Sequence, residues 1–255
     1  MIGIFDSGVG GLTVVKEIKK LLPDASIIYF GDTARLPYGN KSQETIQRYS
    51  EEIADFLKSK GCKIIVIACN SASALAADYL RKKYPDLKIY DVVSSGADAA
   101  AEITKNKKVG VIGTTATINS SVYKKKIAQI NPEINIFAKA CPLFVPLVEE
   151  NWIARPETKK IARTYLRELK LHKVDTLLLG CTHYPLLAKI ISGVIGRRTK
   201  VIASGEKLAT ELQREYKEKS AGDKDRYFVS DLTKHFEILA EKILGKKVKI
   251  EKAIL

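Results

Sequence analysis

Two cysteines close two apolar runs far apart in the chain. IIVIACNSAS at residues 64–73 places Cys69 at the end of one run, and TLLLGCTHYP at 176–185 places Cys181 at the end of the other. Small polar residues follow each thiol: Asn70 and Ser71 after the first, Thr182 and then His183 after the second. A thiol between a strand and a helix start feels the positive end of the helix dipole. This predicts a pKa for Cys69 drawn from about 8.5 toward neutrality. His183 is spaced to polarise Cys181 or to accept its proton. Two thiols facing one pocket suit three chemistries. Disulfide exchange normally uses a C-x-x-C pair. Thiol hydrolysis needs one nucleophile, one histidine and an oxyanion hole, and leaves a thiol unused. A racemase without a cofactor needs two groups, a base that takes an α-proton and an acid that returns it from the opposite face. The symmetric placement fits the third best, with Asp6 and His183 as one assistant for each half.

DSGVGG at residues 6–11 reads as a tight turn into a helix whose free N–H groups favour an anion, with Asp6 and Ser7 at its mouth. It departs from the dinucleotide fingerprint, because Thr13 stands where a third glycine is required. It also lacks the G-K-[ST] ending of a P-loop, and its alternative reading is a capping and packing turn.

The elements that must position these residues form a repeating strand–turn–helix rhythm. IGIF, SIIYFGD, KIIVIAC, KIYDVV, KKVGVIG, INIFAK, VDTLLLGC and KVIAS alternate with longer helical patterns. In SQETIQRYSEEIADFLKSKG, Ile46, Tyr49, Ile53, Phe56 and Leu57 recur at the helical period, and Gly61 supplies a stop. The alternation predicts an α/β fold with mostly parallel sheets, covered by helices on both faces. Ligands of such sheets sit beyond the carboxyl ends of the strands. Asp6, Cys69, Cys181 and the TTAT cluster after VGVIG all occupy strand ends, and so point to one shared crevice.

The 255 residues allow one large α/β domain or two smaller ones. With 45% hydrophobic and 28% charged residues the composition is that of an ordinary globular protein, and no apolar run reaches membrane-span length. The N-terminal MIGIFDSGVGG enters strand sequence without a basic leader, so a cytoplasmic protein is expected. Four scattered cysteines (Cys62, Cys69, Cys141, Cys181) do not form a disulfide pattern, and three histidines with no C-x-x-C spacing argue against structural zinc. A net charge of +14 raises nucleic-acid binding as a second hypothesis. The lysines are scattered rather than gathered with aromatic residues, which favours a solvated surface.

DSGVGGL, GDTARLPYG, ACNSAS, CPLFVPLVE and GCTHYPLL, in that order over essentially the whole chain, resemble the glutamate racemase family. The resemblance implies interconversion of L- and D-glutamate without pyridoxal phosphate or metal, supplying D-glutamate for peptidoglycan. It implies two similar α/β domains related by a pseudo-twofold, with the active site at their interface, and a homodimer. By analogy, residues 1–95 with 206–255 form the first domain and 96–205 the second. Cys69 corresponds to the base acting on D-glutamate and Cys181 to the base acting on L-glutamate. Asp6 corresponds to the assistant of Cys69, His183 to that of Cys181, and Glu149 to a carboxylate near the second thiol. Ser7, Pro37, Tyr38, Gly39, Asn70, Ser71, Thr117, Thr182 and His183, together with Asp6, match substrate-contacting positions. The chain departs from the family pattern at C-N-S, where C-N-T is common, and at Ala203, where an aspartate often stands. Members regulated by a cell-wall precursor carry an N-terminal extension that is not read here, so that regulation is not expected. Arg35 is a minor candidate as a carboxylate clamp. Cys62 and Cys141 read as structural thiols, and Trp152 and His235 as packing or surface residues on helical stretches. An aspartate racemase is the nearest rival reading.

Overall fold

Runs that are apolar at every position become parallel strands buried on both faces. In the computed structural model, which describes residues 1–216 and 224–255, β1 (Ile2–Asp6), β2 (Ile27–Gly31), β3 (Ile64–Ile67) and β4 (Lys88–Asp91) belong to one sheet. β5 (Lys108–Gly113), β6 (Asn135–Ala140), β7 (Thr176–Gly180) and β8 (Lys200–Ala203) form a second. The chain then returns to the first sheet with β9 (Arg226–Val229) and β10 (Ile250–Lys252). The strand orders are β10-β9-β2-β1-β3-β4 and β6-β5-β7-β8, and every pairing is parallel. β1, β2 and β7 are buried along their full length, whereas β4, β6 and β8 at the sheet edges are partly exposed.

The longer helices are α1 (Leu12–Leu21), α2 (Gln43–Ser59), α3 (Asn70–Lys83), α4 (Val92–Ile103), α6 (Val122–Ile130), α8 (Pro156–Leu171), α9 (Ala188–Ile195), α10 (Ser204–Glu215) and α11 (Lys234–Leu244). Two shorter ones, α5 (Thr115–Asn119) and α7 (Phe144–Glu149), follow β5 and β6. Helix α2 shows why the pattern is legible. Ser42 caps it through a bond from the Thr45 N–H, Ile46, Ile53 and Leu57 are buried, and Gly61 takes φ +85° just beyond its end. Among the described residues no helix is long and apolar enough to cross a membrane.

The chain passes from the first sheet to the second through α4 and comes back through α10, and these two helices pack against each other. Asp91 stops β4 and starts α4, because its carboxylate accepts the Val93 and Ser94 N–H groups at 2.9 Å each and pairs with Arg81. Residue 95 lies within α4, and residue 205 is the second of α10. The first sheet is sandwiched between two apolar clusters, and two more enclose the second sheet.

Candidate active site

The carboxyl ends of β1 and β3 in the first sheet and of β5 and β7 in the second face one cavity of about 260 Å³. Cys69 and Cys181 both line it, with Ser7, Pro37, Tyr38, Gly39, Asn70, Ser71, Glu149, Thr182 and His183. Asp6 and Thr117 stand one hydrogen bond behind the wall. Asp6 Oδ1 accepts from the lining Thr182 hydroxyl at 3.2 Å, and Thr117 Oγ1 lies 3.0 Å from Thr114 Oγ1. Thr114 and Thr115 of the TTAT cluster also line the cavity, as do Pro142, Val145 and Pro146 of CPLFVPLVE. Thr114 N-caps α5, and its hydroxyl lies 2.9 Å from that of Ser71.

Cys69 is the N-cap of α3, and its thiol donates to the Ser7 hydroxyl at 3.7 Å. The expected fall in its pKa does not occur. Burial pushes the thiol up to about 12, Asp6 adds to the rise, and the Ala72 N–H and the Ser7 hydroxyl only partly oppose it. Loss of hydration outweighs the first-turn dipole when a thiol is buried this completely. At Cys181 the sulfur lies 3.9 Å from His183 Nδ1, and His183 Nε2 lies 3.3 Å from Glu149 Oε1. Burial alone would lower the His183 pKa. The neighbouring Cys181 sulfur and Glu149 carboxylate overcome it and raise the imidazole to about 10. Asp6 is fully buried, and burial raises its carboxyl pKa against the charge of His183 and donors from Gly8, Gly11 and Thr182.

The glycine loop has the packing use, one of its two readings. Its Gly8 N–H is given to Asp6 Oδ2 at 2.9 Å. A Cβ on Gly10 would stand 2.3 Å from Thr182 Oγ1 and 2.6 Å from His183 Nδ1, and one on Gly11 would stand 2.4 Å from the Asp6 Cβ. Gly10 lets the Cys181–His183 turn dock directly against the start of α1, and Gly11 leaves room for Asp6. Thr13 Oγ1, donating at 3.1 Å to the Thr182 carbonyl, ties the two together.

Arg35 is not a clamp for a ligand. It pairs with Asp32 at 2.7 Å and with Glu52, and its guanidinium lies 4.0 Å from the centre of the Tyr49 ring. The fully buried Asp32 also accepts from the Tyr38 hydroxyl and from Ser230 at 2.8 Å, so this group anchors the Pro37–Gly39 wall. Cys62 and Cys141 are buried away from the cavity lining, and burial pushes the Cys62 thiol up to about 11. His235 lies on α11 as expected, whereas Trp152 sits in the turn between α7 and α8 rather than on a helix. Ala203 N-caps α10 without a side-chain bond, so the aspartate common at this place has no substitute here. Among the described residues no His/Cys/Asp/Glu group is arranged to hold a metal ion.

The Asp/Glu/hydantoin racemase family model matches residues 10–212. The glutamate racemase of Geobacter metallireducens is 49% identical over 256 residues, covering 97% of this chain and 93% of the relative. The structure superposes on that of a glutamate racemase isoform from Bacillus anthracis with a TM-score of 0.95, at 37% identity over 100% and 97% of the two chains. It matches glutamate racemase from Francisella tularensis in complex with D-glutamate with a TM-score of 0.91, at 34% identity over 100% and 96%. With two strand-end thiols in one cavity and relatives alike over nearly their whole length, the chain belongs to the Asp/Glu/hydantoin racemase family.

Proposed function

We propose that this enzyme interconverts L- and D-glutamate by passing the α-proton through two cysteine thiols on opposite faces of the bound amino acid. One observation carries the reading: Cys69 and Cys181 arrive from two different sheets and line the same small cavity. The cavity's volume falls below the ~300–1,000 Å³ of drug-sized ligand sites and suits a small metabolite. The hydroxyls and amides of Ser7, Asn70, Ser71 and Thr182 suit carboxylate and ammonium groups.

In the L-to-D direction Cys181 acts as the thiolate. It takes the α-proton, and the electron pair left on the α-carbon is stabilised by hydrogen bonds to the α-carboxylate that strengthen as charge develops. The Cys69 thiol then delivers its proton to the opposite face, which leaves Cys69 as thiolate and Cys181 as thiol. The reverse direction uses the same groups in exchanged roles. Burial holds Cys69 as the thiol, while the raised His183 stands as an imidazolium beside Cys181. Glu149 faces the imidazole from its far side. Asp6 acts on the Cys69 side through its charge, and the bond it accepts from Thr182 ties it to the turn that follows Cys181.

This reading takes residues 1–95 with 206–255 as one domain and 96–205 as the other. It includes a cytoplasmic homodimer that supplies D-glutamate for peptidoglycan. Light scattering at twice the chain mass of 28.3 kDa tests the dimer. Circular dichroism of L- and D-glutamate and L- and D-aspartate tests the reaction. Both glutamate enantiomers converge on the same racemic endpoint, and aspartate is left unchanged. Turnover of aspartate alone would overturn the substrate.

A further inference from the structure

Tyr123 belongs to α6, is 3% exposed and is absent from the residues that line the cavity. It nevertheless reaches the turns that carry both thiols. Its hydroxyl oxygen accepts the Asn70 Nδ2–H at 2.8 Å, and Asn70 directly follows Cys69. On its other side the ring occupies the space over Gly180, the residue directly before Cys181. A Cβ on Gly180 would lie 3.1 Å from the Tyr123 ring and 2.8 Å from the Ile112 carbonyl. One rigid side chain thus bridges the end of β7 in the second sheet and the start of α3 beside the first. Gly96 makes room for the same bridge, since a Cβ there would lie 3.3 Å from the Tyr123 hydroxyl and 2.4 Å from the Ser204 hydroxyl.

We propose that Tyr123 is a positioning residue that sets the spacing between the two thiols, holding Asn70 through its hydroxyl and the Gly180–Cys181 turn through its ring. Burial keeps the phenol neutral, with the Ser204 and Asn70 side chains opposing that rise in pKa. The geometry separates this role from that of an ordinary core tyrosine. The packing of the ring survives removal of the hydroxyl, whereas the hold on Asn70 does not. A two-base reaction is sensitive to this hold, because displacement of one thiol lengthens one proton transfer while the substrate still binds.

The inference rests on the racemase reading, and the test keeps the two apart. Y123F, N70A and the double variant are compared in both directions, with thermal unfolding measured alongside. Y123F is expected to lower kcat about tenfold, the equivalent of one lost hydrogen bond of about 1.4 kcal/mol, with KM changed less than about twofold. In the N70A background the same change is expected to alter kcat less than about twofold, because the partner is already gone. Equal losses in both backgrounds, or Y123F at the wild-type rate, would overturn the proposal. If Y123F does not fold, N70A removes the same bond while keeping the phenol, and N70A with wild-type kcat overturns it equally. A wild type that racemises no amino acid defeats the racemase reading instead.

Discussion

Replacing Gly10 with alanine should disable the site from outside the cavity. The new Cβ would sit 2.3 Å from Thr182 Oγ1 and 2.6 Å from His183 Nδ1, against an optimal heavy-atom separation of about 3.5–4.0 Å. Neither neighbour is free to yield. The Thr182 hydroxyl is given to Asp6 at 3.2 Å, His183 Nδ1 faces Cys181 at 3.9 Å, and Thr13 bonds both the Gly10 and the Thr182 carbonyls. Relief therefore moves the Cys181–His183 turn away from α1 by roughly 1 Å. A misplacement of that size costs about 100-fold in rate, and overpacking costs about 1–3 kcal/mol, or several degrees of melting midpoint for a chain of this length. Gly193 in α9 supplies the control, because a Cβ there meets nothing within 4 Å. Gly193→Ala should gain roughly 0.5–1 kcal/mol from helix propensity and leave the rate unchanged. Racemisation followed by circular dichroism, with thermal unfolding on the same samples, reads both effects. A Gly10→Ala enzyme within about tenfold of wild-type activity and with an unchanged midpoint would refute the close-docking argument.

Asp32→Asn weakens the anchor of Tyr38 and Arg35, so KM for glutamate should rise about tenfold while kcat changes little; a change in kcat alone would contradict this. Asp91→Ala removes the cap of α4 and should cost about 1–2 kcal/mol in chemical denaturation, and a variant as stable as wild type would show that the cap contributes nothing. His183 is raised from 6.5 to about 10, so its ionic contribution to stability is complete below about pH 6.5 and is lost as pH climbs through 10. The difference in unfolding free energy between wild type and His183→Gln should therefore shrink across that window, whereas a difference constant with pH would argue against the raised pKa.

The parallel α/β fold was legible because its strands are apolar on both faces and short polar turns end them. Asp6, Cys69 and Cys181 could be placed at strand ends for the same reason. β9 and β10 escaped notice: RYFV and IEK are brief, and their flanking lysines give no alternation. The meaning of Gly10 was hidden because the atoms it admits belong to Thr182 and His183, which no local window contains. The direction of the Cys69 shift was misjudged, since a helix start is visible in sequence but the depth of burial around it is not. Arg35 looked like a free cation for the same reason, its partners Asp32 and Glu52 being fixed only by the fold. Tyr123 sits in a helical pattern as one more apolar position, and nothing nearby signals that it touches the neighbours of both thiols.

The central claim is that two thiols serve opposite faces of one α-carbon. Its most direct test is glutamate racemisation in deuterated water by wild type, Cys69→Ser and Cys181→Ser, with α-deuterium read by mass spectrometry. The account predicts that wild type converts either enantiomer to the other with one solvent deuterium at the α-carbon, and that each single variant loses racemisation in both directions. Racemisation that survives in either variant at a rate near wild type, or inversion by wild type without deuterium, would contradict it.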